Sequence, residues 1–140
     1  MDAARVVLDT NIWLDWLVFD DPGIAPLREA QAAGRIEIVI DEACEAELVR
    51  VLAYDLGAYS LDAAAQTRCV ARCRGIATRV SAHASSGLPA CRDPDDQKFL
   101  MLAAAAGAAL LISKDRALLE LSPRMTDVRI LTPQSFASMA

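Results

Sequence analysis

Arg5-Val-Val-Leu8, running straight into Asp9-Thr10-Asn11, decides the architecture. A short, nearly all-apolar run with β-branched residues is the pattern of a strand buried on both faces, as in a parallel sheet covered by helices. Working outward, Arg35 to Ile40 (RIEIVI) alternates and closes on an apolar triplet, which marks a second strand. Ile76 to Val80, Ala109 to Ile112 and Val128 to Leu131 supply three more. Helical patterns fill the intervals: Thr10 to Phe19, Pro22 to Ala33, Glu42 to Leu56, Leu61 to Cys73, Pro94 to Ala106 and Arg116 to Leu121. Strands that alternate with helices pair in parallel, because a parallel connection needs a crossover of about a dozen residues or more. The expected class is therefore α/β, a three-layer domain with a parallel sheet. No linker or break in composition divides the chain, so residues 1–140 read as a single domain.

Composition narrows the function classes. At 54% hydrophobic and 24% charged, with six Gly and six Pro, the chain is neither a disordered tail nor a low-complexity polymer. Its longest apolar run, Phe99 to Ile112, is 14 residues. That is short of the roughly 20 a membrane-crossing helix needs. Residues 1–8 hold one Arg and one Asp within a short apolar stretch, with no small-residue cleavage pattern after them, so a cytoplasmic protein without a membrane partner is expected. Cys44, Cys69, Cys73 and Cys91 form no CxxC pair, and His83 is the single histidine. Buried free thiols are expected, rather than a zinc site or a nucleophile–histidine pair.

Net charge is −5, but its distribution is uneven. Residues 1–62 carry 13 acids and 4 bases, residues 63–92 carry 5 bases and no acid, and residues 93–140 carry 6 acids and 5 bases. Arg68, Arg72 and Arg74 lie in the basic stretch. They read either as a solvated helix face or as contacts to the phosphates of a nucleic acid.

In open parallel sheets, ligands sit beyond the carboxyl ends of the strands. Asp9-Thr10-Asn11 stands after the first strand and Ser113-Lys114-Asp115 after the fourth. Asp93-Pro-Asp-Asp96 opens the fifth helix, and Asp41-Glu42 follows the second strand, with Glu45 and Glu47 further along the helix. Carboxylates converging on one cleft repel one another unless protons or cations neutralise them. Mg²⁺ and Mn²⁺ prefer oxygen ligands, take few from protein, and complete their shell with water and phosphate oxygens. Such a site suits phosphodiester cleavage. Capping competes as an explanation: Asp9, Asp93 and Asp115 each stand where a helix N-cap belongs, and Pro94 suits the first helical position.

At these residues the sequence resembles the PIN-domain proteins, small metal-dependent ribonucleases that often serve as toxins of toxin–antitoxin pairs. Val6-Val-Leu-Asp-Thr-Asn-Ile12 is similar to the opening motif, Glu45-Ala-Glu-Leu-Val-Arg-Val-Leu52 to the second, and Arg92-Asp-Pro-Asp-Asp-Gln-Lys-Phe-Leu100 to the third. Leu111-Ile-Ser-Lys-Asp115 resembles the fourth, and Ile130-Leu-Thr-Pro133 a common closing strand and turn. The resemblance implies an acidic catalytic and metal-binding set of Asp9, Glu47, Asp96 and Asp115. Asn11 and Ser113 fall at supporting polar positions, and Asp93 is a further contributor. It implies Mg²⁺ or Mn²⁺ as cofactor, RNA as substrate, an antitoxin protein as partner, and a strand order of 3-2-1-4-5. Ser113 stands where the family usually has Thr, and Arg116 and Ala117 replace an acid often found there.

The expected function is a metal-dependent endoribonuclease; the alternative is a non-catalytic RNA- or protein-binding module of the same fold. An aspartyl phosphoryl-transfer enzyme would want a second Asp two residues after Asp9, where Asn11 stands. A receiver-like module would want an Asp after Val80, where Ser81 stands. A homodimer is also expected. Ile12-Trp-Leu-Asp-Trp-Leu-Val-Phe19 is apolar nearly all round a helix, which means either burial on every side or a face left for a partner.

Overall fold

The computed structural model describes residues 3–54, 56–81 and 87–139. The strands β1 (Ala4–Leu8), β2 (Ile36–Ile40), β3 (Thr78–Arg79), β4 (Leu110–Ile112) and β5 (Arg129–Leu131) form one sheet in the order β3-β2-β1-β4-β5. Every pairing is parallel. The helices are α1 (Thr10–Leu17), α2 (Ala25–Ala32), α3 (Glu42–Leu52), α4 (Ala63–Ile76), α5 (Gln97–Ala106), α6 (Arg116–Leu119) and α7 (Pro133–Met139). They flank the sheet, so the expected α/β architecture and its strand order both hold. Val6, Val7 and Leu8 are buried between two neighbouring strands, as an all-apolar central strand requires.

Several expected elements have different limits, for local reasons. β3 shrinks to two exposed residues at the sheet edge because α4 runs on to Ile76, and a short edge strand leaves little backbone open to stray pairing. α4 itself begins at Ala63, where the Asp62 side chain accepts a hydrogen bond from the Ala65 amide. α3 ends at Leu52, with the Ala53 and Tyr54 amides bonded back to Arg50 and Val51 in a tightened last turn. Pro22–Ile24 and Pro94–Asp96 are single 3-10 turns that precede α2 and α5 instead of belonging to them. α5 closes on Gly107, which adopts the left-handed conformation (φ 64°) that a helix C-cap favours in glycine. The sequence reading lacked α7. Its start is marked by Thr132, whose hydroxyl accepts from the Ser135 amide, and by Pro133 in the first helical position.

The helix around the two tryptophans is a core element. Ile12 through Leu17 are all buried within one chain, and Trp16 is only 4% exposed. Trp13 and Trp16 lie with ring centroids 6.1 Å apart, and the Arg28 guanidinium covers the outer Trp16 face at 5.9 Å. This overturns the reading of the helix as a face left open for a second copy, because α3, α4 and the Arg28 side chain already cover it. Cys44, Cys69, Cys73 and Cys91 are buried free thiols, as expected. Burial pushes the Cys73 thiol up to about 12 and raises Cys44 and Cys91 as well, so none of these three is a ready nucleophile. His83 lies outside the described residues.

Candidate functional site

The pairing of β1 with β4 sets Leu8 beside Ile112, so the residues that follow them, Asp9 and Ser113, meet at the carboxyl edge of the sheet. The Asp9 amide bonds to the Ile112 carbonyl at 3.2 Å. Asp9 then serves as N-cap of α1: its Oδ1 accepts from the Ile12 amide at 3.0 Å. Its Oδ2 accepts from the Ser113 hydroxyl. The same Ser113 oxygen accepts from the Asp115 amide at 2.9 Å, which fixes the loop that carries Asp115.

Capping and clustering turn out to be compatible at Asp93 and Asp115, because each of these caps with one oxygen. Asp115 Oδ1 accepts from the Ala117 amide at 2.9 Å, and Asp93 Oδ1 accepts from the Asp95 amide at 3.0 Å. Asp93, Asp96 and Asp115 each offer a carboxylate oxygen, and these oxygens lie within 4.8 Å of one another. Asp96 Oδ2 is buried and meets no hydrogen-bond donor among the described residues. Asp95 is exposed and stays outside this group.

The electrostatics follow from crowding and desolvation. Burial pushes the Asp9 carboxyl up to about 6, against the opposing pull of the Ser113 and Ile12 hydrogen bonds. Asp96 is pushed up to about 7 by burial first, then by the Asp115, Asp93 and Asp9 carboxylates around it. Acids that hold protons near neutrality are acids short of a cation. The residues present therefore fit a divalent ion: three carboxylates with an oxygen each within reach of one another, among them Asp96 with an oxygen that meets no donor, and the exposed Asp93 at the solvent side.

Glu47 stands apart from that trio. The Thr10 hydroxyl donates to its Oε2 at 2.6 Å, and the Lys98 ammonium lies 3.1 Å from its Oε1. Thr10 follows Asp9 and Lys98 follows Asp96 by two residues, so both partners come from segments that carry the acids. Glu45, two residues earlier on α3, is buried and takes two arginines, Arg74 at 2.7 Å and Arg79 at 2.6 Å. Arg72 reaches the Leu17 carbonyl at 3.3 Å, while Arg68 is exposed. The three arginines of α4 are thus not one uniform solvated face: Arg74 is an anchor for a buried acid.

Asn11 is exposed and lines a cavity of about 300 Å³ with Asp15, Phe19, Lys114 and Asp115. Sequence reasoning missed Asp15. It is buried in the core helix and held by Lys114 at 2.5 Å, which also lies 3.8 Å from Asp21. The available signal was an acid in the middle of an otherwise apolar helix, which needs a partner when buried. Lys98 was missed too, since a lysine in the first turn of a helix reads as surface charge.

A five-stranded parallel sheet in this order, with acids gathered beyond its first and fourth strands, defines the class. Residues 5–117 match the family model of the PIN domain, and the chain belongs to that family. No curated protein matches the chain. Among solved structures, PAE2754 from Pyrobaculum aerophilum is similar at a TM-score of 0.64 and 12% identity, covering 97% of this chain and 88% of that one. A chain of VapBC2 from Rickettsia felis, a structure bound to a DNA fragment from their promoter, is similar at a TM-score of 0.64 and 13% identity. That match covers 91% of this chain and 98% of the other. At these identities the likeness is one of fold.

Proposed function

We propose that this protein is a Mg²⁺- or Mn²⁺-dependent endoribonuclease, the toxin of a toxin–antitoxin pair. The observation that carries the reading is the Asp93, Asp96 and Asp115 group, with the donorless Asp96 oxygen buried inside it. Family membership and the fold likeness to VapBC2 support it. Asp96, Asp115 and Asp93 would hold the ion, with Asp9 beside them and Glu47 in reserve. A bound ion of this kind supplies a water of lowered pKa and stabilises the charge on a leaving oxygen. Ser113 orients Asp9 and fixes the Asp115 loop. Asn11, which lines a cavity with Asp115, would support the metal shell from the exposed side.

The partners proposed are RNA and an antitoxin that covers the acidic edge. A homodimer is proposed as well, formed without the Ile12–Leu17 side chains, which are buried within one chain. No described helix is long and apolar enough to cross a membrane, which is consistent with action on cytoplasmic RNA. Incubating a panel of labelled RNAs with Mn²⁺, with and without chelator, tests the reading. Wild type is expected to cut one or more of them only when the metal is present, and Asp9→Asn to cut none while remaining folded. Chelator-resistant cutting, or an Asp9→Asn variant with the wild-type rate, would overturn it.

A further inference from the structure

We propose that the Phe19 ring is a stacking platform for one unpaired nucleobase beside the cleaved phosphodiester, which makes single-stranded RNA the substrate class. The inference rests on the ribonuclease reading above and deepens it. Phe19 lines a cavity of about 300 Å³ with Asn11, Asp15, Lys114 and Asp115. Asp115 also belongs to the group with Asp93 and Asp96, so a base in this cavity would be next to any phosphodiester held at those acids. The volume is at the lower end of small-ligand pockets, which suits one base and not a paired stack.

The local structure fixes an apolar ring in this otherwise polar wall. α1 ends at Leu17, and the Val18 and Phe19 amides both bond to the Leu14 carbonyl, at 2.9 and 3.0 Å. Asp20 then takes the left-handed conformation, φ 50°, which is sparsely populated by residues other than glycine. Arg28 pins Asp20 at 2.6 Å, and the Asp21 amide returns to the Asp15 carbonyl at 3.0 Å. This turn carries the chain away after Phe19 and leaves its side chain only partly buried, at the cavity. Tyr59 braces the ring, with centroids 5.0 Å apart and planes at 87°. An edge-on contact of this kind takes at most one of the two faces of Phe19. The Lys114 ammonium lies 2.5 Å from Asp15, so the buried acid of the wall is neutralised toward a polyanion. Stacking on an aromatic side chain tolerates any base but needs a free base face, and within a duplex the neighbouring bases cover both. The cavity therefore selects strandedness rather than sequence.

Fluorescence anisotropy of a labelled, mixed-sequence RNA single strand, and of the same strand annealed to its complement, tests this in the Asp96→Asn background, so that cleavage does not deplete the probe. The single strand is expected to bind more tightly than the duplex. Phe19→Leu should weaken single-strand binding about tenfold, within what stacking of one base contributes, and leave duplex binding unchanged. Stacking releases no counterions, so the slope of log affinity against log salt should stay as it was. Phe19→Tyr should keep the single-strand affinity, and Tyr59→Leu should give a smaller loss in the same direction. Urea midpoints check that each variant is folded. A folded Phe19→Leu that binds the single strand as before, or that weakens both forms equally, would overturn the inference, as would an equal loss in Phe19→Tyr. A folded chain that binds neither form would instead defeat the ribonuclease reading on which the inference stands.

Discussion

The Ser113 hydroxyl donates to the Asp9 carboxylate across the seam between β1 and β4, and its oxygen accepts the Asp115 amide in return. One fully buried hydroxyl thus couples two acids that arrive from distant parts of the chain.

Ser113→Ala removes both bonds at once. Leaving the buried Asp9 oxygen and the Asp115 amide without partners is expected to cost about 1–3 kcal/mol, visible as a lower unfolding midpoint in urea. Metal-dependent cleavage should fall with it. Ser113→Thr keeps the hydroxyl and should retain most of the activity; equal loss in both variants would show that volume, not the hydrogen bonds, matters at this position.

The raised acids make stability depend on pH in a definite direction. Asp9 and Asp96 bind a proton more tightly in the folded chain than at their ordinary value of 3.8, reaching about 6 and about 7. Between those limits the folded state holds more protons than the unfolded one, so stability falls as pH rises through the interval and levels off above it. In chelator, thermal unfolding followed between about pH 5 and pH 8 should show the midpoint dropping. Asp9→Asn should flatten much of that slope and stabilise the metal-free chain at neutral pH by on the order of 2 kcal/mol. Saturating Mn²⁺ should reverse the slope. A midpoint that rises with pH in chelator would contradict the assignment of these carboxyls.

Much of this arrangement was legible in the sequence, and the reasons are specific. Val6-Val-Leu8 could only be a central strand, and Asp9 after it and Asp115 after β4 mark strand ends that the topology brings together. The strand order that the sheet adopts is the one implied by the family resemblance of those motifs. What stayed hidden depends on side-chain reach across the fold. Lys98 meeting Glu47, Lys114 meeting Asp15 and two arginines meeting Glu45 are long-range pairings with no periodic signature. The Trp13–Trp16 helix had two readings because apolarity on all sides does not say whether a helix is covered by its own chain or by another.

Trp16→Glu now separates those readings by stability rather than by assembly. Placing a charge at a buried position beneath Arg28 and deleting the indole should cost about 3–5 kcal/mol. Circular dichroism and light scattering are expected to show a destabilised or unfolded chain. A well-folded variant of halved mass would instead restore α1 as a dimer contact.

Lys114→Met tests the tie between the core helix and the β4–α6 loop. The Lys114 ammonium is half exposed, so losing it should cost less than a fully buried pair, about 1–2 kcal/mol, chiefly because Asp15 is left buried and charged. The hydrogen bond to Asp15 raises the lysine above its ordinary 10.5, so the pair contributes fully at neutral pH and is lost only as pH climbs past that range. Adding Asp15→Asn should recover most of the loss in denaturant titrations. No recovery would mean that Lys114 acts through Asp21 or through its packing.

The most direct measurement is the rate of RNA cleavage as a function of Mn²⁺ concentration for wild type and Asp96→Asn, each checked for folding by circular dichroism. Within the Asp93, Asp96 and Asp115 group, Asp96 has a buried oxygen that no donor satisfies, so it is the one whose charge an ion would answer. The account predicts cleavage that rises and saturates with Mn²⁺ in wild type and is absent in a folded Asp96→Asn at every concentration. Cleavage by Asp96→Asn with the wild-type rate and metal dependence would contradict it.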